Sequence, residues 1–156
     1  MVISLLRRLL RIPEPVVVEH PVFGRMHWMK PGYWEAECEV DGERIGVTID
    51  ITDGEPGEPR EPSEAQAAFF QRIMRDPEIA FRMGEPLLRA RYESWVEEPF
   101  PPDWRTAFRF AGFSIPVNPS EQGTWDVTFD CLADPAGHVF TCWFENGVPV
   151  AVAVDG

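Results

Sequence analysis

The stretch YWEAECEVDGERIGVTIDI, residues 33–51, decides how the rest of the chain is read. Trp34, Ala36, Cys38 and Val40 alternate with Glu35, Glu37 and Glu39, and Ile45, Val47, Ile49 and Ile51 repeat the period of two. Side chains two apart share one face of a strand. Asp41-Gly42 is a two-residue hairpin signal. With that loop, Val40 faces Glu43, Cys38 faces Ile45, Ala36 faces Val47 and Trp34 faces Ile49. The two apolar faces coincide. A slip of one residue would turn one strand inside out, so pattern and loop fix the same register. The hairpin has a dry face, which includes Cys38, and a face carrying Glu35, Glu37 and Glu39.

The C-terminal third reads the same way. TWDVTFDCL, HVFTCWF and VPVAVAV are strands, and Asn146-Gly147 predicts a type I′ turn between the last two. Phe144 then faces Pro149, Cys142 faces Ala151 and Phe140 faces Ala153. Trp125, Val127, Phe129, Cys131, Phe140, Cys142, Phe144, Ala151 and Ala153 make one apolar face, which needs a helix over it. Trp143 points the other way, with Val150 and Val152 near it. That spot is either an interaction patch or is covered by the N-terminal leader or residues 99–115.

A helical segment lies between the two sheet regions. Ser63-Glu64-Ala65-Gln66 is a capping box, and Ala67, Phe70, Ile73 and Met74 form the buried side of the helix it opens. Asp76-Pro77 restarts the helix, with Asp76 as N-cap. Ile79, Ala80, Met83, Leu87, Ala90 and Trp95 are its expected inner face. Glu85 and Arg89 form a favourable pair on the outer one, and Gly84 and Pro86 predict a kink or a split. VFGRMHW, residues 22–28, reads as an early strand with MKPG as its turn. TDGEPGEPREP (52–62) and PFPPDW (99–104) are loops, and RTAFRFAGFSIPVNP stays open between strand and irregular packing. The expected fold is α+β: an antiparallel meander with a central helical segment packed on one face.

The 156 residues suit a leader, 1–15, and one domain, 16–156. The leader MVISLLRRLLRIPEP mixes Leu with Arg and lacks a continuous apolar region. It therefore reads as neither a signal peptide nor a span, and one short helix binds membranes weakly. Three cysteines are an odd set, which favours a reducing, cytoplasmic setting. The net charge of −12 excludes broad nucleic-acid binding and suits a basic partner.

TFDCLADPAGHVFTCWFENG, residues 128–147, places His138 between Cys131 and Cys142 and raises a metal or redox reading. Zinc wants four ligands at a recognised spacing, and neither C-x-x-C nor H-x-x-x-H is present. The cysteines read as small core hydrophobes, with an adventitious cross-strand disulfide as the alternative, and His138 as exposed beside its turn. His20 and His27, near the first strand, read as structural or surface residues. No metal, no cofactor and no catalytic residue is expected. Nucleophile-elbow, phosphate-loop and dinucleotide motifs are also missing. Glu35, Glu37 and Glu39 read as a solvated face, a docking surface or a catalytic cluster. The last lacks a neighbouring acid–base partner.

PVFGRMHW with the W-x-A-x-C-x-V strand, the S-E-A-Q box leading to Tyr92 and Trp95, and CWFENGVPVAVAVDG together resemble a family of uncharacterised small bacterial proteins. That family opens on F-G-x-L…W-x-G and closes on W-x-x-E-H-G. Asn146 stands here where the family has His. The resemblance spans about residues 20–156. It implies a β-rich sheet with a helical segment and a loose kinship with immunity proteins that neutralise bacterial toxins. The leading expectation is a non-enzymatic protein-binding module with Glu35, Glu37, Glu39, the 52–62 loop and Trp143 as its candidate partner surface. An enzyme with an unrecognised site and an oligomerisation module are the alternatives; the oligomeric state is not readable from the sequence.

Overall fold

In the computed structural model, residues 16–29, 32–40, 42–52 and 58–156 are described. The leader 1–15, Lys30 and Pro31 of the first turn, Asp41 and loop residues 53–57 lie outside them. The chain forms a mixed α+β fold. Eight strands, β1 (Val17–His20), β2 (Gly24–Met29), β3 (Tyr33–Val40), β4 (Glu43–Asp50), β5 (Phe108–Ile115), β6 (Trp125–Cys131), β7 (Val139–Glu145) and β8 (Val148–Asp155), pair in sequence order in one sheet. Among the described residues two helices, α1 (Glu64–Arg75) and α2 (Glu78–Val96), and a short turn of 3-10 helix, Trp104–Thr106, connect β4 to β5.

The β3–β4 register matches the expected one at every pair from Trp34↔Ile49 to Val40↔Glu43. Gly42 takes a positive φ of 82°, as the tight turn requires. One pair departs from the antiparallel meander: β4 and β5 run parallel, Gly46↔Gly112 through Ile49↔Ile115. Parallel neighbours need a long crossover, and the helical segment supplies it, which delivers both helices to the inner face. The ambiguous 105–119 segment is resolved as β5, bulged between Phe110 and Gly112.

The early strand is also corrected. The chain turns at Pro21–Phe23, and Val17–His20 forms a separate strand ahead of it. Nδ1 of His20 accepts from the backbone N–H groups of Val22 and Phe23 at 3.2 and 3.4 Å, so this histidine holds the turn.

The inner face is aromatic. Trp34, Phe108, Phe129, Phe140, Phe144 and Trp125 are fully buried there. Phe69 and Phe70 of α1 meet Trp125 and Phe113. α1 begins with the expected capping box: Ser63 Oγ accepts from Gln66 N–H and Gln66 Oε1 from Ser63 N–H. Asp76 is not the cap of α2. It ends α1, and Pro77 precedes α2 with no side-chain cap.

The buried face of α2 is Ala80, Phe81, Gly84, Leu88 and Tyr92, rotated from the expected one. Phe81 stacks on Trp104 with centroids 4.4 Å apart, and Tyr92 meets Phe100 and Phe108 edge-on. The aromatic loop 100–108, not the aliphatic stripe, sets the rotation. Gly84 lets the helix settle on Cys142 and Phe144, where a Cβ would stand 3.0 Å from Cys142 Sγ. α2 runs unbroken through Pro86, which is exposed, so the hydrogen bond its ring removes faces solvent.

Candidate functional site

Both described helices pack on the inner face of the sheet, so neither covers the outer one. At its centre, where β4 and β5 run parallel, lies a groove of about 350 Å³. Its floor is Gly46 beside Gly112. Glycines inside strands mark a close approach of backbone, and here a Cβ on Gly112 would collide with the Gly46 carbonyl. Glu35 and Glu37 of β3 form one wall, Asp126 and Thr128 of β6 the other, with Thr48 and Ser114 between them.

Register explains the assembly. His27 pairs with Glu35, Glu35 with Thr48, and Thr48 with Ser114. Ser114 meets Asp126 through hydrogen bonds, and Asp126 pairs with Trp143. One row of outward side chains therefore runs from Glu35 to Trp143, the two ends of the expected partner surface. Glu39 lies outside the groove, paired in register with Arg44. Among the described residues no cationic side chain lines the groove.

Asp126 is the residue that sequence reasoning passed over. It is half-buried, and Ser114 donates its hydroxyl to Oδ2 at 2.5 Å while Asp126 N–H returns a bond to Ser114 Oγ at 3.2 Å. Burial pushes its carboxyl above the ordinary 3.8, against the opposing pull of the Ser114 bond. The available signals were the outward phase of Asp126 in W-D-V and the two strand glycines.

Trp143 does face outward, between buried Cys142 and Phe144, and is half-buried. Its neighbours differ from the expected ones. A bulge between Trp143 and Phe144 inserts one residue into β8, so Trp143 pairs with Ala151 while Cys142 pairs with Val152. One inserted residue exchanges the faces of everything after it. Val152 and Val154 turn inward, in place of Ala151 and Ala153.

Cys131 and Cys142 are not neighbours. Cys142 sits opposite Val127, whereas Cys131 N–H bonds the His138 carbonyl at the far end of the hairpin. Four residues of strand separate them, roughly 14 Å, about twice the reach of a disulfide. His138 is half-buried rather than exposed. Its Nδ1 lies 2.7 Å from Asp134 Oδ2, which also accepts from Trp95 Nε1 at 2.8 Å. The Trp95, Ala136 and His138 hydrogen bonds hold the Asp134 carboxyl below its usual range. Among the described residues no group of three or more His, Cys, Asp or Glu side chains is placed to hold a metal ion. No helix among them is long and apolar enough to cross a membrane.

A second cavity, about 490 Å³, opens between Trp104, Phe108 and Phe110. Its Arg105 and Arg109 are already paired with Glu78 and Asp130 at 2.7 and 2.8 Å. The outer groove is the better candidate for an outside ligand, because among the described residues its carboxylates have no cation beside them. No family model matches the sequence, and neither a curated protein nor a solved structure matches it.

Proposed function

We propose that the chain is a non-enzymatic protein-binding module that takes a basic partner on the outer face of its sheet. The carrying observation is the glycine-floored groove with Glu35 and Glu37 on one wall and Asp126 on the other. An arginine or lysine side chain fits its chemistry. The aliphatic stem lies over Gly46 and Gly112, and the charged head relieves the desolvated Asp126 carboxyl. Three strand spacings, about 14 Å, separate β3 from β6, room for one or two basic side chains. Complementary charge speeds encounter and sets register, and the net charge of −12 extends the attraction beyond the groove.

The resemblance to immunity-type proteins supports a finer reading, an inhibitor that neutralises a bacterial toxin in the cytoplasm by occlusion. Affinity capture from the native cell extract at low and high salt tests the proposal. The unchanged protein should retain one stoichiometric, salt-sensitive basic protein, and a Glu35→Arg/Glu37→Arg double variant should lose it. Equal retention by both would remove this face. Retention of a metal or small molecule alone would favour an enzyme.

A further inference from the structure

Among the described residues β8 is an edge of the sheet, and its C-terminal half carries nothing that resists pairing. From Val148 to Val154 it carries no ionisable side chain, in a protein of net charge −12. Val148 and Val150 are 55% and 46% exposed. Edge strands present unpaired backbone groups and are normally guarded by charges, prolines, bulges or shortness. The opposite edge follows that rule: β1 has four residues and includes Glu19 and His20. β8 is guarded only at its start, by Pro149 and the bulge, which leaves Ala151 to Val154 open.

The helix beside this edge also turns apolar side chains outward, with Arg91 the one charged residue among them. Phe81 and Tyr92 lie on the flank of α2 that faces β5 and the Trp104 turn, and Gly84 lies over β7. Helical geometry places Met83, Leu87 and Ala90 on the other flank, toward and beyond β8. These are the residues whose spacing predicts burial, yet Met83 and Leu87 are half-buried and Ala90 is exposed. A helix flank that is apolar but for Arg91 and an uncharged strand edge thus end together at one side of the molecule.

We propose that a second copy of this chain covers that side, with β8 pairing antiparallel to its counterpart about a two-fold axis. The two sheets become one of sixteen strands, and the α2 flanks meet across the axis. A two-fold strand pair is self-complementary. For a centre at Ala151, Val152 or Ala153, Asp155 meets Gly147, Pro149 or Ala151 of the other copy, so no like charges oppose. Strand pairing alone gives a small interface, and the helix flanks enlarge it toward the about 1,200 Å² of stable ones. Residues 1–15 are the competing occupant. Arg7, Arg8, Arg11, Pro13 and Pro15 suit them poorly to an uncharged strand edge, whereas a second Ala151–Val154 brings neither charge nor proline.

Sedimentation equilibrium of the full chain, from low to high micromolar concentration, tests the proposal. The expected species has twice the 17.8 kDa chain mass. Ala151→Lys and Ala90→Lys, both at exposed positions, should each weaken dimerisation at least tenfold and leave the fold intact by circular dichroism. Outward β8 amides should exchange more slowly as concentration rises. A monomer throughout the range overturns the proposal, as does a dimer that neither substitution weakens. A monomer with slowly exchanging β8 amides would assign the edge to residues 1–15 and overturn it as well.

Discussion

A Cβ on Gly112 would strike the backbone carbonyl of Gly46 on the neighbouring parallel strand. Nothing lies within 4 Å of a Cβ on Gly46 itself. The two glycines of the groove floor therefore differ in kind. Gly112→Ala must push β4 and β5 apart and should cost about 1–3 kcal/mol, the range of overpacked interiors. Gly46→Ala should stay within about 0.5 kcal/mol, since it adds a methyl in open space. Denaturant midpoints of the two variants measure the difference. Equal losses would place the close approach elsewhere. Gly46→Ala, folded but with a raised floor, is also the variant of choice for weakening a partner in the groove.

Gln66 ties three elements together. Its Oε1 caps Ser63 N–H, and its Nε2 donates to the Asp50 carbonyl at 2.7 Å and the Pro116 carbonyl at 3.1 Å. Only 2% of it is exposed. It thus joins the start of α1 to the ends of both strands of the parallel pair. Gln66→Ala leaves two carbonyls without their donor and should cost about 3 kcal/mol. Ser63→Ala removes one cap and should cost about 1 kcal/mol. Thermal or chemical unfolding checks the order; a Ser63 loss equal to or larger than the Gln66 loss would contradict it.

The parts of the fold that follow from period and turn chemistry are legible in the sequence. The β3–β4 register, the Asn146-Gly147 turn with both residues at positive φ, and the Ser63–Gln66 box each depend on a few adjacent residues. What depends on distant partners is not legible. The rotation of α2 is set by Trp104 and Phe100, which the local pattern of 78–96 does not contain. The β8 bulge turns on a single extra residue that leaves apolar alternation intact on both sides, because Val-Ala-Val-Ala-Val is apolar in either phase. The groove needs Gly46 against Gly112, a parallel pairing between residues 66 positions apart in the chain. Glu35 and Glu37 were readable as an outward acidic face, but Asp126 joins them only through that pairing.

The cysteines provide a test of the register. Burial pushes the Cys142 thiol up to about 12 and raises those of Cys131 and Cys38. Thiolate is the reactive form, so all three should react slowly with a thiol reagent near neutral pH and rapidly once the protein is unfolded. Non-reducing peptide mapping should find no Cys131–Cys142 bridge. A bridge in the folded protein would contradict the β6–β7 register.

Asp126 and Asp134 should give opposite pH dependences. The folded state raises the Asp126 pKa, so it binds that proton more tightly than the unfolded chain does. The associated stability is present below about 3.8 and lost as pH rises through the folded value. Asp126→Asn keeps an acceptor for the Ser114 hydroxyl and removes the penalised charge. It should therefore gain on the parent protein as pH rises from 3 toward 7. Asp134 is the reverse case: its lowered pKa contributes stability above about 3.8 that is lost as pH falls through the folded value. The deficit of Asp134→Asn should accordingly shrink in acid. Urea titrations across this range read both, and two flat differences would show that neither carboxyl is perturbed by folding. The same Asp126→Asn variant carries the functional consequence. If the cost of burying the Asp126 charge is what a basic side chain relieves, the variant should be more stable at neutral pH yet weaker toward the partner.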